Sequence, residues 1–534
     1  MKLRSLLLAA LVAALAFANC RQILTAQSSF SHQVSVASGA IAGSAKDGVL
    51  AFKGIPYAAS PAGDLRWRAP QPPLAWKGVR DGSLFGHDCM QIATRNHAPE
   101  ATYAEDCLYL NVWRPAEQTA KKLPVMVWIH GGAFINGGSS DFSQDGSKFA
   151  QQGIVFVSLN YRLGRLGFFA FPALSKENPG EPHGNYGLMD QIAALQWIQK
   201  NIAAFGGDAQ RVTVFGESAG GSSVQMLMAS PLAKGLFQQV ILQSSGARTF
   251  LDGMSRISEE VPGHPSAEKI GVNFAVSQGI AGEDAAALAK LRALPAEQLA
   301  SGLDKKGFGT PAVMATYSQP MIDGMVVKED AREAMLAGRA ARVAVMSGAT
   351  SADLGQAAAP SKDALFDRFG SDRAKAVAAY DPQGEISLPL LSAMVGGDAN
   401  MVEPARMYAA KAAALGLPAY EYRFSYVTEA QRAEFKNGVT HGRDVVYTFD
   451  NLALSGPPAS PLDNKVAHTF NVYLANFVKT GNPNGPGLPV WPRYSAQKDE
   501  LMDFTWDGTP VPLADPRKAR LDLVAGRKEL FPAK

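Results

Sequence analysis

Val214-Phe215-Gly216-Glu217-Ser218-Ala219-Gly220-Gly221 sets one serine between glycines at the end of an apolar run. Residues 211–215, Arg-Val-Thr-Val-Phe, are β-branched and aromatic, as a short buried strand should be. After the serine, Ala219-Gly220-Gly221-Ser222-Ser223 lets a helix start close against a sheet. Upstream, Gly206-Gly207-Asp208 ends a helical stretch, 190–205, and turns the chain into the strand. The order helix, turn, strand, serine, helix forces a tight turn at Ser218. Flanking glycines keep side chains off the neighbouring backbone, so the hydroxyl stands clear of the sheet. With 51 glycines in 534 residues, Gly-x-Ser-x-Gly alone carries little; the element order around it carries the reading.

Outward from this point, apolar strand candidates at 125–129, 154–159, 240–243, 343–346 and 419–426 alternate with helical stretches, 464–479 among them. That alternation predicts an α/β protein with a mostly parallel sheet and helices on both faces. Residues 251–319 and 357–415 break the pattern: both are Ala-rich and mostly helical. They read as insertions in a single domain spanning 19–534, either walling a pocket above the strand ends or packing as ordinary helices. The hydrophobic share of 47% and charged share of 19% are those of a globular chain. Net charge is +3, of which Lys2 and Arg4 in an N-terminal leader supply two, leaving +1. No basic run suggests nucleic acid or an anionic membrane.

The leader is expected at 1–18. Met1-Lys2-Leu3-Arg4 is positive, 5–15 is apolar, and Ala16-Phe17-Ala18 is a small-x-small cleavage site. The apolar run is short for a span of about 20 residues, so secretion or periplasmic release is expected, not membrane insertion. Cys20 raises lipid anchoring as an alternative, for which Asn19 is a poor preceding residue. Export would place Cys89 and Cys107 in an oxidising compartment, where a disulfide is the simplest expectation. A loop of that size contributes about 3 kcal/mol by chain entropy.

A serine hydroxyl is a weak nucleophile until an imidazole takes its proton, and the imidazole needs a carboxylate to hold its tautomer. An exposed serine on a strand–turn–helix is the nucleophile elbow of the α/β-hydrolase fold, where the chain order is serine, acid, histidine. Of 8 histidines, His441 and His468 lie late enough. His468 falls within a helical stretch; His441, in Asn437-Gly438-Val439-Thr440-His441-Gly442, lies in a glycine-flanked loop that can reach the elbow. Asp353 follows the 343–346 strand and has the acid's placement, with Asp323 of Met321-Ile322-Asp323-Gly324 as runner-up, though that residue reads more naturally as a turn residue. An oxyanion hole requires backbone N–H groups aimed at the attacked carbonyl. Gly131-Gly132-Ala133 after the 125–129 strand supplies candidates, joined by the amide of Ala219. No histidine, carboxylate or cysteine cluster has metal-ligand spacing and no phosphate-cradling loop follows a strand, so cofactor-free chemistry is expected.

These residues belong to a longer ordered series: Phe52-Lys53-Gly54-Ile55-Pro56-Tyr57-Ala58, Glu105-Asp106-Cys107-Leu108-Tyr109-Leu110-Asn111-Val112, His130-Gly131-Gly132-Ala133-Phe134, Asn160-Tyr161-Arg162 and Gly184-Asn185-Tyr186-Gly187-Leu188-Met189-Asp190-Gln191. With the Ser218 motif, the series resembles the type-B carboxylesterases, the family of bacterial para-nitrobenzyl esterases and cholinesterases. The resemblance implies a serine esterase with Ser218 as nucleophile, His441 as base then acid, and oxyanion donors at Gly132, Ala133 and Ala219. It also implies a Cys89–Cys107 disulfide and small ester substrates. Two departures stand out: Asp353 where the family usually has glutamate, and Ala133 where a third glycine is usual. Competing readings are a catalytically silent binding module of the same fold and an amidase on the same triad.

Overall fold

Strands rich in Val, Ile, Phe and Trp pair into one eleven-stranded sheet. In chain order these are β1 (Ser44–Lys46), β2 (Val49–Pro56), β3 (Tyr109–Pro115), β4 (Leu123–Ile129), β5 (Val155–Leu159), β6 (Gly207–Glu217), β7 (Gln239–Gln243), β8 (Ala344–Thr350), β9 (Ala419–Phe424), β10 (Glu500–Phe504) and β11 (Pro510–Ala514). Across the sheet the order is β11-β10-β9-β8-β7-β6-β4-β5-β3-β2-β1. Every pair from β10 to β5 is parallel, and the pairs outside that block are antiparallel. The computed structural model describes residues 32–92, 102–117, 121–246, 254–261, 265–303, 314–454, 458–527 and 530. The expected leader, 1–18, Cys20 and parts of the first helical insertion lie outside the described residues.

Alternate residues of the central strands feed different cores. Val125, Val127 and Ile129 of β4 and Val212 and Val214 of β6 join the cluster containing Leu195, Ile198, Val224 and Leu227. Those last four belong to helices α1 (Tyr186–Asn201) and α2 (Ala219–Ala229). Met126 and Trp128 of β4 and Phe215 of β6 face the other way, against Phe149, Phe449 and Phe470. Phe470 lies on α3 (Pro461–Thr480), whose start is fixed by a capping box in which Ser460 and Asp463 satisfy each other's backbone amides. The sheet is therefore covered on both faces, which is why stretches such as 125–129 and 240–242 read as unbroken apolar runs.

Strand boundaries differ from the sequence expectation in a way that bears on the site. β8 runs on through Ser347-Gly348-Ala349 to Thr350, past the expected end at 346. Glycine in a strand reads as a stop, but Tyr422 of the neighbouring strand covers Gly348, and an added Cβ there would lie 2.2 Å from its ring. The helix expected at 190–205 begins at Tyr186 and tightens into a 3-10 turn over Ile202–Phe205, capped by left-handed Gly206. The sheet's outer strands, β1 to β3 at one side and β10 with its antiparallel partner β11 at the other, were not anticipated from periodicity. Among the described residues no helix is long and apolar enough to cross a membrane.

Candidate active site

Five neighbouring strands, β9, β8, β7, β6 and β4, end on the same side of the sheet, each delivering one piece of the site. Ligands of parallel α/β sheets bind at these carboxyl ends. β6 ends at Glu217, and Ser218 follows with φ 55° and ψ −123°, a conformation few residues with a side chain adopt. Its amide donates to the Gln243 carbonyl, 3.0 Å away at the end of β7. The elbow is tight enough to require its glycines. A Cβ on Gly220 would sit 2.0 Å from the Ile129 carbonyl, and one on Gly216 would sit 2.5 Å from the Gly220 carbonyl carbon.

Asp353 lies three residues beyond the end of β8, and His441 is on the longer connection after β9. Two hydrogen bonds bring the loops together: Ala352 N donates to Val439 O at 2.8 Å, and Val439 N to the Ser351 side-chain Oγ at 3.0 Å. The result is a continuous chain of contacts. His441 Nε2 is 2.8 Å from Ser218 Oγ, and His441 Nδ1 is 2.6 Å from Asp353 Oδ1. The Asp353 carboxylate also accepts from Ser244 Oγ at 2.7 Å, Thr350 N at 2.9 Å and Leu354 N at 2.7 Å. The loop carrying Asp353 packs directly on a helix, Leu388–Gly397. An added Cβ on Gly355 would lie 2.2 Å from the Gly396 carbonyl carbon, and one on Gly397 would lie 2.7 Å from Asp353 O.

The electrostatics follow from burial and neighbours. Burial pushes Asp353 up, but the charge and hydrogen bond of His441, with bonds from Ser244 and Leu354, outweigh it and hold the carboxyl below its ordinary range. Burial pulls the His441 imidazole down, and the carboxylates of Glu217 and Asp353 overcome that pull and raise it to about 9. Glu217 Oε1 lies 3.3 Å from His441 Nε2.

The loop after β4 carries the candidate oxyanion donors. Gly132, Ala133 and Phe134 have φ of 107°, 55° and 61°, so three successive residues are left-handed, and two of them bear side chains. Such a run turns consecutive amides toward one concavity. The amides of Ile135 and Asn136 both return to Gly132 O, whereas among the described residues no hydrogen bond occupies the amides of Gly132 and Ala133. A Cβ on Gly131 would come within 3.2 Å of Ser218 Cβ, so the loop passes directly beside the serine. His130, stacked on Tyr161 with centroids 4.5 Å apart, is held by burial at about 4 and is therefore neutral; its Nδ1 lies 2.8 Å from Gly131 O. Tyr317 donates to Ala133 O at 3.2 Å, bringing a residue of the 251–319 segment against this loop.

The two runners-up sit elsewhere. Asp323 Oδ1 accepts from the amides of Met325, Val326 and Val327, an Asx turn, and its other oxygen accepts from Asn185. His468 is on α3, 67% exposed and 3.2 Å from Asp450. The sequence assigned no role to Glu217, Ser244 or Gln91. Glu217 was visible as the serine's neighbour, but only the elbow turns it onto His441. Ser244 stands one residue past β7 with no local signature of an acid-binding hydroxyl. Cys89 and Cys107 are disulfide-bonded. Among the described residues no group of three or more His, Cys, Asp or Glu could hold a metal ion.

The mostly parallel sheet with its elbow at the end of β6 is an α/β-hydrolase fold. Residues 31–376 and 386–515 match the model of the Carboxylesterase family. The chain belongs to that family and is a carboxylic ester hydrolase. It is 36% identical over 487 residues to the fumonisin B1 esterase of Sphingopyxis macrogoltabida, covering 88% of this chain and 85% of that one. It is 33% identical over 515 residues to the para-nitrobenzyl esterase of Bacillus subtilis strain 168, covering 93% and 98%. Carboxylesterase 1F of Mus musculus is 32% identical over 503 residues, covering 85% of each chain.

Proposed function

We propose that this chain hydrolyses small carboxylic esters through an acyl-enzyme, with Ser218 as nucleophile, His441 as base then acid, and Asp353 as the acid of the triad. The observation that carries the reading is His441, whose two ring nitrogens lie 2.8 Å from Ser218 Oγ and 2.6 Å from Asp353 Oδ1. Nε2 takes the hydroxyl proton as Oγ attacks the ester carbon. The imidazolium formed is stabilised by Asp353 at Nδ1 and by Glu217 beside Nε2. Charge on the carbonyl oxygen falls to the amides of Gly132, Ala133 and Ala219. His441 then returns the proton to the leaving alcohol, and water repeats the sequence on the acyl-enzyme. Export through the 1–18 leader is part of the proposal, supported by the disulfide between Cys89 and Cys107.

Ser218→Ala tests the mechanism: ester turnover is expected to vanish while circular dichroism and melting stay as in the parent. Undiminished turnover in that variant overturns it. Export is tested by sequencing the N-terminus of the released protein, expected to begin at Asn19; retention of residues 1–18 overturns it.

A further inference from the structure

The oxyanion loop leaves β4 at Ile129 and is held at its near end by His130. Its far end is held by a different part of the chain. Gly137 presents its amide to Gln91 Oε1 at 2.9 Å and its carbonyl to Gln91 Nε2 at 2.6 Å. The same Nε2 donates to Cys89 O at 2.9 Å. One buried carboxamide thus satisfies both backbone groups of one residue, as a paired strand would. Three residues on, Ser140 donates its hydroxyl at 2.5 Å and its amide at 3.3 Å to Asp88. Asp88 precedes Cys89 and Gln91 lies two residues after it, and the disulfide ties Cys89 to Cys107.

Gly137 transmits this hold to the hole. Its φ is 109°, and an added Cβ there would sit 2.4 Å from His130 Nδ1 and 2.7 Å from Gly131 O. Gly137 therefore packs on the two residues that begin the turn, with no space for independent adjustment. Gly132 and Ala133, left-handed and without partners for their amides among the described residues, lie between the two anchors.

We propose that Gln91 is a positioning residue for the oxyanion hole, with the Cys89–Cys107 disulfide as its anchor. The carboxamide clamp on Gly137 keeps the Gly132 and Ala133 amides aimed at the carbonyl attacked by Ser218. The clamp rests on the function proposed above and adds to it a group that supports the transition state without touching substrate. Leucine at 91 removes donor and acceptor together. Glutamate keeps the shape and the acceptor but turns a charged oxygen toward the Gly137 carbonyl.

The test is kinetic, on the full chain, with 4-nitrophenyl acetate as substrate and an aryl trifluoromethyl ketone as inhibitor. The hemiketal oxygen of that inhibitor occupies the oxyanion position. For both Gln91→Leu and Gln91→Glu, kcat is expected to fall about ten- to a hundredfold, less than loss of a whole donor, with KM little changed. Inhibitor affinity should fall by the same factor as kcat/KM. Cys89→Ala/Cys107→Ala should weaken inhibitor binding in the same direction, and adding Gln91→Leu to it should cost less than in the parent. Unchanged inhibitor affinity, or a loss of activity that only tracks the folded fraction, overturns the clamp, as does full additivity with the cysteine pair. Ser218→Ala run in parallel separates the two claims. Turnover in that variant sinks the mechanism itself, whereas its loss beside parental kinetics in both Gln91 variants sinks only the clamp.

Discussion

Glu217 Oε1 stands 3.3 Å from His441 Nε2, the same nitrogen that lies 2.8 Å from Ser218 Oγ. His441 is thus bracketed by two carboxylates, Asp353 at one nitrogen and Glu217 at the other. Both favour the imidazolium and together raise His441 to about 9 against the pull of burial. The base role proposed for His441 requires the neutral ring, so ester turnover should rise with pH, with a midpoint in kcat/KM above the ordinary imidazole value of about 6.5. Glu217→Gln should move that midpoint toward acid. A pH–rate profile of the two proteins decides it, and an unmoved midpoint would sink the bracket.

The same shift carries the opposite sign for stability. A raised histidine stabilises the fold fully below its unfolded value of about 6.5, and that contribution is lost as pH climbs through about 9. Between those limits Tm should fall with pH while turnover rises. Glu217→Gln should flatten the Tm slope; a slope as steep as the parent's would count against it.

How far the chain could be read in advance follows from how local each signal is. Ser218 and its strand–turn–helix lie in one short consecutive stretch, so the tight turn was legible, and chain order singled out His441, whose Nε2 the fold brings to 2.8 Å from Ser218 Oγ. The parallel core was legible because 125–129, 154–157, 240–242 and 343–346 are buried, unbroken apolar runs. β2 and β3, paired antiparallel at one flank, mix Lys53, Asn111 and Arg114 into their runs and gave no such signal. Ser244 and Gln91 escaped for another reason. Their roles depend on where two distant strands or a disulfide place them, and no spacing in the sequence encodes that.

Asp353→Asn should cost far more turnover than Asp323→Asn. The amide would present a donor or a weaker acceptor to His441 Nδ1 and disturb the tautomer, a loss of about ten-thousandfold in comparable triads. Asp323 ends in an Asx turn and an Asn185 contact, so Asp323→Asn should lower Tm and leave kcat near the parent's. Steady-state kinetics beside thermal melts separate the two, and the reverse ranking would move the acid to Asp323.

Ser244→Ala removes a buried donor 2.7 Å from Asp353 Oδ2. A hydrogen bond to a charged group is worth about 1.5–3 kcal/mol, but Asp353 keeps the amides of Thr350 and Leu354. A fall in kcat of about tenfold, at the weak end of that range, is expected, with the fold intact. Because Ser244 helps hold Asp353 ionised, the acid side of the pH profile should also steepen its loss as Asp353 protonates at higher pH than before. Threonine at 244 keeps a hydroxyl, so Ser244→Thr should recover part of the rate if the bond is the cause. Equal losses in the alanine and threonine variants would mean that packing at the end of β7, and not the hydrogen bond, governs the effect.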